Sequence, residues 1–260
     1  MKKTNISKTT AYHYAKFVGR LILFLTVFII YIVNKVKTPD IDPLLEKFES
    51  NVYVAVVCGI IWAIFIIEML MRFFPSKIES MGCQKQFKRN YAPVDPQIKP
   101  NRQPAWRTFV AFAAWIALNA IFVTLYFTKV IDGGVMIILS LAYSVCDMIC
   151  ILFFCPFQTW ILKNRCCVSC RIYNWDFAMM FTPVVFIVNP FTMSLFGVAL
   201  LLLLEWEILY RKFPERFCIN TNKTLSCANC KEKLCKHKRQ LRGFIKKIAE
   251  AEKRKNADKH

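Results

Sequence analysis

The apolar residues of this chain gather in long runs divided by polar, strongly basic stretches. Six runs are candidate membrane-crossing helices, at about 17–33, 52–74, 108–128, 135–155, 172–188 and 191–210. A helix needs about 20 mostly apolar residues to cross roughly 30 Å of hydrocarbon. Four of the runs meet that length easily. Phe17–Val33 is short, and Arg20 is expected to snorkel its guanidinium to the membrane surface. Phe177–Val188 is too short alone. With Ile172–Asp176 before it, the segment either crosses obliquely or forms a re-entrant hairpin with the next helix around Asn189-Pro190. The alternative, a soluble helical bundle, is disfavoured because Phe191–Leu204 is apolar on nearly every face. The pattern predicts an all-α polytopic membrane protein with a cytosolic N-terminus at 1–16, a transmembrane domain at 17–210 and a cytosolic tail at 211–260.

Composition fits that picture. Of the 260 residues 56% are apolar, and only 7 are Gly. No phosphate-cradling GxGxxG or GxxxxGK[ST] loop is present, which argues against a nucleotide-fingerprint enzyme. No small-x-small cleavage site follows Val33, so the first run reads as a retained anchor.

Charge adds an orientation. The chain holds 36 Lys+Arg against 17 Asp+Glu, a net charge of +19. With the N-terminus inside, the external pieces hold only Lys35, Lys37, Lys47 and Lys129, and the other 32 of the 36 basic residues lie inside. Basic residues are retained on the cytosolic face, so both termini are expected in the cytosol of a cell-membrane protein. The same bias disfavours nucleic acid as the partner, since the basic segments carry no recognition helix or interleaved aromatic pattern. In the tail, Leu241, Phe244, Ile245 and Ile248 fall at helical spacing among Arg and Lys. That predicts a basic amphipathic helix suited to an anionic inner leaflet. Outside, Asp42-Pro43-Leu44-Leu45 reads as an N-cap and start of a short helix.

The 12 cysteines carry the candidate chemistry. Nine face the cytosol under this topology and three lie in spans, which favours thiolate metal ligands over disulfides. One group is Cys155, Cys166, Cys167 and Cys170, with either Cys166 or Cys167 as a ligand. The second is Cys218, Cys227, Cys230 and Cys235, with His237 as a further candidate. The tail that holds it is expected to pack on loop 156–175. Cys-x2-Cys spacing lets a tight turn place two sulfurs on one ion. Soft thiolates select zinc, copper(I) or iron–sulfur clusters, and both a structural zinc site and a cluster want about four ligands. Cys58 reads as packing, and His13 and His260 have no assigned role.

The stretch Cys155-Pro156-Phe157-Gln158 to Cys166-Cys167-Val168-Ser169-Cys170-Arg171 begins at a helix end and locally resembles membrane-anchored polyferredoxin-type electron-transfer proteins. The resemblance covers about 20 of the 260 residues. That family's tighter Cys-x3-Cys-Pro is Cys150-x4-Cys155-Pro156 here, and its Cys-x2-Cys-x2-Cys repeats are absent. It implies a redox protein whose iron–sulfur centre passes electrons between a cytosolic partner and a lipophilic carrier such as a quinone. The alternative is a transporter or scaffold braced by zinc.

Glu68, Asp147 and Glu205 fall at matching depth, about 9–12 Å from the cytosolic ends of their spans. Ionisable residues in spans mark functional sites. These three are candidates for a proton relay or for binding a polar head group. The structural alternatives are a Glu68–Arg72 pair and pairing of Glu205 and Glu207 with Arg211. Trp160 and Trp175, with Trp106, are expected at the inner interface, the first two as anchors or as a cofactor-stacking pair. Asp176 is expected to N-cap the fifth span. The chain shows neither a Ser-His-Asp set nor HExxH, which disfavours hydrolysis.

Overall fold

The computed structural model describes residues 8–37, 52–75, 82–95, 97–164, 169–226 and 228–229. Among the described residues the regular structure is helical, with one isolated antiparallel bridge between Pro93 and Asn222. In chain order the helices are α1 (Lys8–Lys37), α2 (Val52–Phe73), α3 (Gly82–Gln86), α4 (Ala105–Phe127), α5 (Gly133–Leu152), α6 (Asp176–Phe181) and α7 (Pro190–Lys212). Five of them, α1, α2, α4, α5 and α7, are long and apolar enough to cross a membrane. Their outward faces stay apolar: Val18, Ile22, Leu25 and Ile29 on α1, and Phe109, Phe112 and Ile116 on α4, are exposed.

α1 is longer than the apolar run predicts, at 30 residues. Its extra N-terminal turns continue because their polar side chains face the bundle. His13, Lys16 and Arg20 lie at i, i+3 and i+7, on one helical face. α1 runs antiparallel to α5. At one end Tyr14 and Phe17 meet Phe153 edge-on, with ring centroids 6.2 and 5.7 Å apart. At the other, Asp132 accepts from the Tyr31 hydroxyl at 3.0 Å and pairs with Lys35 at 2.9 Å. Asp132 also caps α5, accepting from the Val135 N–H at 3.0 Å.

The segment 172–188 is not one continuous helix. A 3-10 turn at Tyr173–Trp175 leads into the six-residue α6, and a second 3-10 turn follows at Pro183–Phe186. Pro183 supplies no N–H and cannot continue α6. Side-chain hydroxyls bond carbonyls near the break: Thr182 Oγ1 donates to Ala178 O at 2.6 Å, and Ser140 Oγ to Met180 O at 2.8 Å. Thr192 Oγ1 likewise donates to Ile187 O at 2.6 Å. Trp175 touches Phe112 of α4 and Phe186 touches Phe127. The broken segment therefore runs beside α4 over about 22 Å.

This segment is also the centre of the core. Phe177, Met180, Phe181, Val184 and Ile187 are buried against Phe65 and Met69 of α2, Met136 of α5 and Leu202 and Trp206 of α7. Irregular backbone at membrane depth is tolerated where protein, not lipid, surrounds it. The run is apolar because it faces protein.

The helix ends near Tyr14, Arg72, Phe153 and Lys212 share one end of the bundle, called here the loop end. There, segments 82–104 and 213–226 are joined through backbone. Val94 N–H donates to Thr221 O at 3.1 Å and Lys223 N–H to Ala92 O at 2.8 Å. Asn222 is fully buried between them and donates to Arg216 O at 2.8 Å and Lys85 O at 3.2 Å. The described part of the tail thus rests on segment 82–104. It meets the 156–175 side through Tyr210, whose ring lies under the Arg171 guanidinium and edge-on to Phe217. Segments 42–45 and 241–255 lie outside the described residues.

Candidate functional site

Near the loop end, polar side chains of α1, α2, α5 and α6 turn toward one another. Arg20 lies between two carboxylates. Its Nη2 is 2.9 Å from Glu68 Oε2 and its Nη1 is 3.2 Å from Asp147 Oδ2. The same Nη1 donates to Ser144 O at 3.2 Å. Lys16 Nζ reaches Glu68 Oε2 at 3.1 Å. One turn along α2 from Glu68, Arg72 Nη1 pairs with Asp176 Oδ1 at 2.6 Å, with its guanidinium 4.5 Å from the Phe177 ring centroid. Three cations and three carboxylates alternate in a buried cluster of balanced charge.

His13 completes it. The residue is 5% exposed and its Nδ1 has no hydrogen-bond partner among the described residues. Lys16, Arg20, Arg72 and Glu68 are near enough to act on it electrostatically.

Several expectations are corrected here. Arg20 does not snorkel: it is 6% exposed and turns inward, because two carboxylates compete better for it than the membrane surface. Glu68 does not pair with Arg72, since Arg20 and Lys16 take it from α1 and Asp176 takes Arg72. Asp176 does not cap a span. Trp175 holds the N-cap position of α6, with no side-chain cap bond, while Asp176 is the first helical residue. Glu68 and Asp147 are brought together, through Arg20.

Glu205 takes no part in the described ion pairs. Two residues turn an α-helix by about 200°, so Glu207 faces the opposite way, and it is Glu207 that is engaged. It pairs with Arg171, and its Oε1 accepts from Trp175 Nε1 at 2.8 Å. Arg171 lies outside the spans. Burial pushes its guanidinium down from the ordinary value, and the adjacent Glu207 carboxylate offsets this. Asn174 Nδ2 donates to Gln86 Oε1 at 3.3 Å. The stretch after the first cysteine group is thus pinned at four successive polar positions: Arg171, Asn174, Trp175 and Asp176. Trp160 is 68% exposed and meets Phe154 edge-on, as an interfacial ring would. Trp175 is held by Glu207 and Phe112, so the two tryptophans keep different partners.

Among the described residues no disulfide joins Cys58, Cys146, Cys150, Cys155, Cys170 or Cys218. Nor do three or more His, Cys, Asp or Glu side chains among them gather as a metal site would require. Cys170 is buried with Ala111, Leu162 and Ile172, against Phe157 and Ile161. Cys218 contacts Asn101 O at 3.5 Å, on the other pair of segments. Burial pushes its thiol up from the ordinary value, which keeps it protonated at neutral pH. Cys166, Cys167, Cys227, Cys230, Cys235 and His237 lie outside the described residues.

Lys16, Arg20, Arg72, Asp176, Arg171 and Glu207 carry the charge architecture; the sequence pattern assigns Lys16 and Arg171 no role and gives the other four different partners. One signal was present: the polar residues of early α1 recur on a single helical face. No protein-family model, curated protein or solved structure matches the chain.

Proposed function

We propose that the protein is an integral membrane protein of the transporter class, and that the charge cluster among α1, α2, α5 and α6 recognises an anionic group, a carboxylate or a phosphate. The observation that carries this reading is the buried His13 Nδ1 without a partner, beside Lys16, Arg20 and Arg72. A buried polar atom left unsatisfied is rare and calls for a partner. An oxyanion there accepts hydrogen bonds from the imidazole and from the neighbouring cations, in competition with Glu68. The broken helix beside the cluster supports the class. Discontinuous helices at protein-lined depth are where transporters build substrate sites. Among the described residues, Lys35, Lys37 and Lys129 lie at the far end of the bundle and the other basic residues toward the loop end, which supports a cytosolic loop end and a cell-membrane location.

The test is a thermal melt of the full chain in detergent with inorganic phosphate, a short dicarboxylate or phosphatidylglycerol. A ligand at about 100 times its Kd should add about 2.7 kcal/mol of stability. His13→Phe should abolish most of that shift while moving ligand-free stability by less than about 1.5 kcal/mol. If none of the three probes shifts the wild type, or the variant keeps the full shift, the reading fails.

A second reading, a thiolate-held iron–sulfur or zinc centre, has one observation in its favour: the described residues on the two sides of 165–168 are held together. Asn164 N–H donates to Gln158 O at 2.9 Å, Asn164 Nδ2 donates to Ser169 Oγ at 3.3 Å, and Cys170 packs on Phe157 and Ile161. Both ends of the first cysteine group therefore lie in one small unit. A brown, anaerobically purified protein with iron and acid-labile sulfide would support electron transfer to a carrier such as a quinone. Colourless protein with zinc would support a brace, and Cys170→Ser should lower either metal. Protein holding neither metal sinks this reading.

A further inference from the structure

We propose that the charge cluster takes its anion together with a proton, which His13 holds while the anion is bound, so that binding at this site is proton-coupled. The inference deepens the anion reading and rests on it. Two observations carry it, the charge balance of the cluster and the burial of its members.

His13 and Lys16 stand one turn apart on α1, and Arg20 lies a further turn along the same face. α2 supplies Glu68 and Arg72, α5 supplies Asp147 and α6 supplies Asp176. Lys16, Arg20 and Arg72 meet Glu68, Asp147 and Asp176 at 2.6 to 3.2 Å, so three positive charges are matched by three negative ones. Each of these six side chains is 15% exposed or less. Two phenols border the cluster, Tyr12 edge-on to His13 at 5.7 Å and Tyr173 at 6.0 Å from the Arg72 guanidinium. A phenol is uncharged at neutral pH and leaves the balance unchanged.

A bound carboxylate or phosphate adds negative charge to a set that is already neutral. Displacing Glu68 from Lys16 does not help, because the displaced carboxylate stays buried with its charge. An uncompensated charge in a buried site is strongly unfavourable, and ionisable groups there neutralise it by gaining or losing a proton. His13 is the group placed to do so. It is 5% exposed, and its Nδ1 has no hydrogen-bond partner among the described residues. A proton on the imidazole makes a fourth cation, balances the anion and gives both ring nitrogens an N–H to donate. The proton passes from solvent to the imidazole as the anion seats, and returns as it leaves. In a carrier built this way the two move together, and a proton gradient drives the anion.

The test is titration calorimetry of the full chain in detergent with inorganic phosphate, a short dicarboxylate and short-chain phosphatidylglycerol. Repeating each titration in buffers of different ionisation enthalpy counts the protons exchanged. The expected result is uptake of about one proton per seated anionic group, with affinity weakening about tenfold per pH unit between about pH 7 and 8. The dicarboxylate and the lipid do not titrate in that range, so the proton cannot sit on them. Asp147→Asn leaves Arg20 on Glu68 and gives the cluster one surplus positive charge. It should bind the same probes without proton uptake and at a pH-independent affinity. If phosphate alone binds, comparison with this variant decides. Wild-type binding with no proton exchanged, or binding that requires sodium instead, overturns the proposal and leaves the anion reading standing. So does equal proton uptake in Asp147→Asn. No binding of any probe removes both. With the dicarboxylate or the lipid, the wild-type proton count is decisive even if the variant fails to fold.

Discussion

Replacing Arg20 with methionine is expected to destabilise the protein by about 3–5 kcal/mol, because it strands two buried carboxylates. A domain's whole stability is about 5–15 kcal/mol, so the variant should accumulate poorly and melt about 10 °C or more below wild type. Lys16 remains on Glu68, so Asp147 bears most of the loss. The double variant Arg20→Met, Asp147→Asn, which leaves Lys16 paired with Glu68, should recover much of the stability, since a buried ion pair can often be replaced by uncharged groups at little cost. The contrast with a snorkelling arginine is what gives the measurement its force. An exposed Arg20 would cost within about 0.5 kcal/mol on substitution. A melt that moves by only that much would mean that the inward pairing is wrong.

The same residue shows how far hydropathy reaches. Five long helices are legible because crossing a bilayer requires a long apolar run, and composition alone reports one. The start of α1 is not legible in that way. Its hydropathic run begins at Phe17, yet the helix continues back to Lys8 because His13, Lys16 and Arg20 turn onto partners from other helices. Hydropathy scores a buried, paired cation as though it faced water. Segment 172–188 is legible only in part. Hydropathy cannot tell a residue that faces lipid from one that faces protein, so it reports the apolar run but not that Phe177 and Met180 are buried in the core. The break falls at Pro183, not at the Asn189-Pro190 turn that the sequence pattern offers.

The ionic partners were the least legible part. Within one helix, Glu68 and Arg72 at i, i+4 form a reasonable pair. The structure shows that each prefers a charge from another element: Arg20 and Lys16 for Glu68, Asp176 for Arg72. Such choices depend on how helices pack, which spacing along one chain does not encode. The cysteine groups were legible as spacing, and the described residues place Cys170 and Cys218 on different segments of the loop end.

Glu205 and Glu207 give the sharpest test of helix register at the second charged centre. Glu207→Leu leaves the half-buried Arg171 without its carboxylate and the Trp175 indole N–H without its acceptor, at an expected cost of about 3 kcal/mol. Glu207 offsets the effect of burial on Arg171, so its removal leaves desolvation unopposed. Two of the four anchors of the stretch after Cys170 go with it, and maleimide labelling of Cys170 should rise as the loop loosens. Glu207→Gln retains an oxygen for the indole N–H and should fall between leucine and wild type. Glu205→Leu should move the melt by about 0.5 kcal/mol or less, because its carboxylate holds no described ion pair. Equal effects at the two positions would place both carboxylates in the same environment. That is incompatible with a helix that turns them about 200° apart.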